Sequence, residues 1–346
     1  MMNKSEIDWC DFSWNPVTGC RRGCEYCYAR NQARRFSGDV RVNVTDPQIR
    51  AEEGPAGRIY TLPHPFKNSR GTTIPHPAGF EPTFHEYRLG DPARKKKPAS
   101  IFVCSMADLF GPWVPDEWIA RVFEACKAAP WHNYMFLTKY PERYQQLQRA
   151  DLLPGDKNFW FGATAADAKQ TERAADAVGA LPAYIHAFVS IEPIMEDITA
   201  TPGWTYAMDD IDKGYFDWII VGAETGNRKG KIAPERAWIE NIIEAAAITH
   251  APVLLKDSKE LRAVWGDDLI QDFPPELRPM SEDNSIPHCK ECEEAIREKQ
   301  GKRGEAITCK IGYQELEAPP VPRRVLGRYT RSSPPWCPKR RKDNAE

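Results

Sequence analysis

Long apolar runs are missing from this chain. No stretch approaches the ~18 consecutive apolar residues that would cross a bilayer, and the opening MMNKSEIDWC lacks the basic-then-apolar pattern of a secretory leader. A dominant charge sign is missing too. Lys and Arg number 47 against 49 Asp and Glu, a net charge of −2, so no global field draws the protein onto a polyanion, although a local basic patch would still serve. These absences predict a soluble, cytoplasmic protein. In that reducing setting, ten cysteines point to metal or redox chemistry rather than disulfides. They are also clustered: Cys20, Cys24 and Cys27 lie together, as do Cys289 and Cys292.

What is present is organised in three parts. Ile7 to Trp14 reads as a short strand running into the Asn15-Pro16 turn, and Tyr28–Phe36 has helical propensity. Residues 38–100 are rich in Pro, Gly and His and only weakly periodic, which predicts a functional insertion or substrate-covering loop with a short strand near Thr83–Leu89. From Ser100 a regular rhythm begins. Apolar runs at Ile101–Cys104, Tyr134–Leu137, Phe159–Gly162, Tyr184–Ile191, Trp218–Gly222 and Val253–Leu255 alternate with helical segments at Pro115–Ala128, Pro141–Ala150, Asp167–Leu181 and Pro234–His250. Strand–helix repetition of this kind implies parallel β structure with crossover helices. About seven β units suit a full or partial (β/α) barrel better than an open sheet. The α/β domain is expected over 1–266, an acidic linker over 267–285, and a Cys-rich module over 286–346.

Polar residues stand just beyond these apolar runs. They are Ser105 and Asp108, Thr138 and Lys139, Thr164 and Asp167, Glu192, Glu224, and Lys256 with Asp257. In a parallel barrel all such ends open onto the one face that carries the active site. Each could be polar merely because it meets solvent, but six ends in succession point to a polar pocket.

The cysteine loop reads Cys20-Arg21-Arg22-Gly23-Cys24-Glu25-Tyr26-Cys27. A cubane 4Fe–4S cluster normally takes four cysteines, one per iron. Three on one short loop leave one iron open, and open coordination is where a metal does chemistry. Gly23 permits the tight wrap that three closely spaced ligands require. A structural zinc site is the competing reading, but it needs a fourth ligand, and the distant cysteines make a set of their own.

With its x3-then-x2 spacing and an aromatic residue before the third cysteine, this loop resembles that of the radical S-adenosylmethionine superfamily. The resemblance implies that Cys20, Cys24 and Cys27 ligate iron, that Tyr26 lies against adenine, and that the fold is a partial or complete β/α barrel. Over roughly Asp8 to Gly266 the chain is further similar to a phage-associated, radical-SAM-like family of undefined function, through WNPVTGC (14–20), SMADLF (105–110), FLTKYPER (136–143), SIEPI (190–194) and VGAETG (221–226). Cys10 and Cys104 depart from the polar residues expected there, and the insertion before Ser100 is longer than usual. The implied activity is reductive cleavage of S-adenosylmethionine to a 5′-deoxyadenosyl radical that abstracts hydrogen from a substrate carbon, with the electron supplied by a donor such as flavodoxin or ferredoxin. The cofactors carry that chemistry while the protein orients them and excludes water. Asp108, Thr138 and Thr164 are candidates for holding the cofactor. Glu192, Glu224 and Lys256 could bind polar substrate groups or move protons, with barrel salt bridges as the alternative. Cys104 could quench a substrate radical, or be a buried thiol packed in the core, as Cys126 is expected to be.

The C-terminal cysteines Cys289, Cys292, Cys309 and Cys337 supply four thiolates, enough for a closed tetrahedral zinc site or, alternatively, an auxiliary iron–sulfur cluster. Residues 287–346 hold 14 Lys or Arg against 9 Asp or Glu, a net +5, with Tyr329 and Trp336 interleaved. Such a segment could contact a phosphate backbone and stack on bases, or it could be a solvated tail. Base-modifying enzymes are common in phage, so the resemblance suggests a nucleotide or DNA substrate. A non-catalytic iron–sulfur or zinc protein that binds nucleic acid is the alternative, but such a module needs no pocket of ionisable groups.

Overall fold

The computed structural model describes residues 2–209, 214–225 and 231–277, together with the backbone of two strands at 295–299 and 305–309. The chain divides into two compact units, Met1–Pro279 and Met280–Glu346.

In chain order the first unit contains β1 (Asn3–Lys4), β2 (Phe12–Trp14), β3 (Val17–Thr18), α1 (Tyr28–Arg35), α2 (Val40–Asn43), β4 (Arg50–Gly54), β5 (Gly57–Leu62), β6 (Thr83–His85), α3 (Asp91–Arg94), β7 (Ser100–Val103), α4 (Asp116–Lys127), β8 (Asn133–Thr138), α5 (Glu142–Arg149), β9 (Phe159–Thr164), α6 (Ala168–Gly179), β10 (His186–Ile191), α7 (Pro202–Met208), β11 (Trp218–Val221), α8 (Arg236–Ile248), β12 (Val253–Leu255) and α9 (Lys259–Trp265). The main sheet has the order β1-β2-β7-β8-β9-β10-β11-β12. Apart from the antiparallel edge strand β1, every pairing in it is parallel. The fold is therefore α/β with one large, sequentially ordered parallel sheet.

Period-two alternation sorts the side chains of this sheet. Ile101, Val103, Tyr134, Phe136, Phe159, Phe161, Val189, Ile219, Val221, Val253 and Leu255 belong to two clusters packed with the helices. Phe102, Met135, Trp160, Phe188, Trp218, Ile220 and Leu254 form a third cluster, around Trp9, on the opposite face. The sheet is strongly curled. Strands in a flat sheet lie about 4.8 Å apart, so β7 and β11, four steps apart, could not both reach one ring. Yet the Trp9 ring lies 4.6 Å from Phe102 on β7 and 6.5 Å from Trp218 on β11. The curl does not close into a full barrel: among the described residues β12 has no ladder with β1 or β2. The gap is crossed by the Asp257 N–H, which donates to the Asp8 carboxylate at 2.5 Å.

Two segments differ from their sequence-level description. The 38–100 insertion is not a structureless loop. With β3 it builds a second sheet, of order β3-β6-β5-β4, over a small core of Ile49, Tyr60, Leu62, Phe66 and Ala78. The mostly exposed β4 hides this in the sequence, since a strand wet on both faces carries no alternation. The stretch expected to begin a linker at 267 instead runs along the sheet edge. Leu255 N–H donates to Ile270 O at 2.8 Å and Asp272 N–H to Val253 O at 3.0 Å, which covers the otherwise open edge of β12. Leu277 is buried beneath it.

In the second unit, β13 (Ala295–Lys299) and β14 (Glu305–Cys309) form an antiparallel hairpin. The side chains of Cys289, Cys292, Cys309 and Cys337 lie outside the described residues.

Candidate functional site

The C-terminal ends of the parallel strands frame a cavity of about 370 Å³. Its lining includes Cys20, Cys24, Tyr26 and Cys27 from the loop after β3, Thr138 and Thr164 from the last positions of β8 and β9, and Asp108, Glu192, Glu224 and Lys256 from beyond β7, β10, β11 and β12. Residues scattered over 237 positions of sequence thus share one space. Cys104 does not. Its backbone sits at φ 64°, its N–H is tied to Trp14 O at 2.8 Å, and its thiol is buried in the helix-side core. Burial pushes that thiol up to about 12. The left-handed turn after β7 directs it away from the cavity, so Cys104 is a core residue, like Cys126, and is not placed to meet a substrate radical.

The cysteine loop is held from outside itself. Gly19 N–H donates to Met106 O at 2.9 Å, and Cys20 N–H to Phe80 O at 3.1 Å. Gly19 has φ +90°, and a Cβ there would lie 2.2 Å from the Glu81 carbonyl oxygen, so only glycine fits. The Arg21 side chain reaches the insertion, bonding Glu81 at 2.7 Å and the backbone carbonyls of Ala56 and Arg58. Upstream, Asn15 Oδ1 accepts from Met106 N–H at 2.8 Å, and Arg88 caps the Asn15 carbonyl. Downstream, Cys27 caps α1, its sulfur accepting from Arg30 N–H at 3.4 Å. Gly23, at φ +79° with open space around it, lets the chain turn between the first two thiols.

Burial and then the neighbouring Asp108 push the Cys20 thiol up to about 12. A positive centre beside gathered thiols favours the thiolate form that binds metal, and iron would provide one. Three cysteines of one loop, all lining one cavity, are a donor set that fits a cubane cluster with one iron open. Among the described residues no group of three His, Cys, Asp or Glu side chains converges to hold a single metal ion.

Around the thiols lies a polar frame. Thr138 Oγ1 donates to Asp108 Oδ1 at 2.6 Å and accepts from Tyr140 N–H at 2.9 Å, while Lys139 N–H donates to Asp108 Oδ2 at 3.0 Å. Burial nonetheless raises the Asp108 carboxyl above its ordinary range. Burial lowers Lys139, against the attraction of Cys24 and Asp108. Its ammonium lies 5.6 Å from the Tyr26 ring centre, and the Arg22 guanidinium 5.1 Å from that of Tyr140. On the opposite side Lys256 forms an ion pair with Glu192, and Glu224 is buried.

Among the lining residues the sequence does not mark as such are Trp9, Arg22 and Ser190, while Lys139 is marked only as a strand end. Ser190 was legible, since it stands two places before Glu192 and so shares its face. Arg22 and Trp9 carried no such signal, because loop residues have no period.

Residues 4–306 match a family described as "Protein of unknown function (DUF5131)". The chain belongs to that family. No curated protein matches it. Among solved structures, a spore photoproduct lyase mutant with bound AdoMet and dinucleoside spore photoproduct is similar at 7% identity, with 90% of this chain and 71% of that chain covered and a TM-score of 0.40. Another mutant of the same enzyme gives 9% identity, 74% and 78% coverage and a TM-score of 0.44. Likeness at this level leaves the chemistry to be argued from the chain's own residues. Among the described residues, no helix is long and apolar enough to cross a membrane.

Proposed function

We propose that the first unit is a partial β/α barrel of the radical S-adenosylmethionine type, with a 4Fe–4S cluster ligated by Cys20, Cys24 and Cys27. The observation that carries this reading is that all three cysteines line a cavity that also gathers the polar strand ends. When bound, cluster and S-adenosylmethionine would supply reductive cleavage of the sulfonium and a radical able to take hydrogen from an unactivated carbon.

The chain's residues then divide the remaining work. Asp108, aimed by Thr138 and by the amides of Lys139 and Phe110, is the acceptor we assign to the amino group of the methionine moiety. Thr138 acts by holding Asp108, since its hydroxyl already donates and accepts. Tyr26 offers a flat face for adenine, and Thr164, at the end of β9, a hydroxyl toward the cofactor. Glu192, Glu224 and Lys256 are left for the substrate. Trp9 and Phe102 close the cavity floor and exclude water from it. The second unit, with Cys289, Cys292, Cys309 and Cys337 on zinc or an auxiliary cluster, brings the +5 charge of 287–346, which favours a nucleotide or nucleic-acid substrate. Flavodoxin or ferredoxin is the electron donor proposed.

The test is anaerobic. The full chain, reconstituted with iron and sulfide and reduced with dithionite, should release 5′-deoxyadenosine or a methionine-derived fragment from S-adenosylmethionine. Absence of both, with flavodoxin and its reductase added, would overturn the reading.

A further inference from the structure

The cavity wall farthest in sequence from the cysteines has its own chemistry. Alternation puts Phe188, Ser190 and Glu192 on one face of β10 and its extension, and Leu254 and Lys256 on the same face of β12. The lower side chains, with Trp9 across them, make an apolar floor. Ser190 is 1% exposed and lines the cavity, yet its hydroxyl has no partner; the Trp9 indole N–H, also at the cavity, has none either. Buried polar groups are rarely left so unless something else occupies the space beside them.

Above that floor stands the Glu192–Lys256 pair, 29% and 21% exposed at the side chain. An ammonium has three donors and a carboxylate about four acceptor sites, so each keeps capacity after bonding the other. The pair is neutral as a whole. A charged ligand is attracted by one member and repelled by the other, whereas an uncharged group with a donor beside an acceptor meets both members at once. A trans amide cannot do so, because its N–H and C=O point in opposite directions. A ring amide can, since the ring forces them to one side. Gly222 makes room for the pair: a Cβ there would lie 2.9 Å from Glu192 Cγ and 3.2 Å from Lys256 Cδ.

We propose that Ser190, Glu192 and Lys256 form a recognition subsite for a ring lactam or imide, the edge presented by uracil- and guanine-type bases, held over the Trp9 floor. It rests on the proposed function only for what is done to the bound ring; the binding itself does not need S-adenosylmethionine.

The test is equilibrium dialysis of the full, reconstituted chain with thymidine and with guanosine, and with their ring-N-methylated forms, in which the donor is removed. At least one nucleoside should bind saturably and its methylated form about tenfold or more weaker, the loss expected when a buried donor or acceptor loses its partner. Lys256→Met and Gly222→Ala should weaken binding by a similar factor, the glycine variant through displacement of the pair alone. Iron content and thermal unfolding check that each variant is folded and loaded. Saturable binding of neither nucleoside, or binding indifferent to methylation and to both substitutions, would overturn the subsite. Release of 5′-deoxyadenosine from the same preparation is read separately, so failure of the subsite and failure of the cleavage chemistry are distinguishable.

Discussion

The two walls of the cavity are built in different ways. The carboxylate and ammonium wall grows directly from β10, β11 and β12: its residues are the next alternate positions beyond buried strands, and their placement follows from the sheet. The thiol wall is a loop with no regular structure of its own between Cys20 and Cys27; beyond one internal bond, from Cys27 N–H to Cys24 O at 3.3 Å, it is fixed by Phe80 and Glu81 of the insertion, by Met106 beyond β7, and by its junction with α1, which Cys27 caps. A strand end is positioned by the fold, whereas a ligand loop must be positioned by neighbours. The insertion therefore serves as scaffold for the cysteines.

The largest break in that comparison should come from Gly19→Ala. The added Cβ meets backbone, so the loop itself must move, and a loss of about 3 kcal/mol or more is expected together with lost iron uptake; denaturant unfolding and iron analysis measure the two. The equivalent change on the other wall, Gly222→Ala, meets only side chains and should leave iron uptake in place.

Acid should next separate the regions. Burial, then Arg88, lowers His76 in the insertion from 6.5 to about 4. Burial also holds the fully enclosed His85 well below its ordinary value, between Thr18 and Tyr87. Both are neutral when folded and take up protons more readily when unfolded, so stability rises with pH here. His76 alone gives a loss of about 2–3 kcal/mol as pH falls from 6.5 to 4. Hydrogen exchange at pH 7 and pH 4.5 should show the second sheet opening first, and His76→Gln should blunt the effect.

A smaller change follows Thr138→Val, which keeps the shape but strips a donor from Asp108 and an acceptor from Tyr140 N–H, costing about 1–3 kcal/mol. Smallest is Arg21→Ala. Despite its several bonds, the Arg21–Glu81 pair is partly solvated, and about 1 kcal/mol or less is expected. A larger loss would mean that the loop leans on this one side chain more than on its backbone bonds.

Sequence reading recovered the two walls unequally. The strand-end residues Asp108, Thr138, Thr164, Glu192, Glu224 and Lys256 were legible because apolar runs announce where strands stop. The cysteines were legible by spacing. The scaffold was not: β4 is almost wholly exposed, β3 is two residues long, and the bonds from Gly19 and Cys20 join backbone atoms that carry no side-chain signature. For Cys104 the sequence leaves a radical quencher and a core thiol both open, because run length cannot show the left-handed turn that carries its thiol into the core. The start of the expected linker misled because acidic residues hide Leu269, Ile270 and Leu277, which pack on the sheet.

An open-site cluster on three thiols has its own spectroscopic signature. Electron paramagnetic resonance of the dithionite-reduced protein, with and without S-adenosylmethionine, tests it most directly. A reduced-cluster signal that shifts when S-adenosylmethionine is added is expected, and no such shifting signal from the variant carrying Cys20→Ser, Cys24→Ser and Cys27→Ser. A signal indifferent to S-adenosylmethionine, or one that survives loss of all three cysteines unchanged, would contradict it.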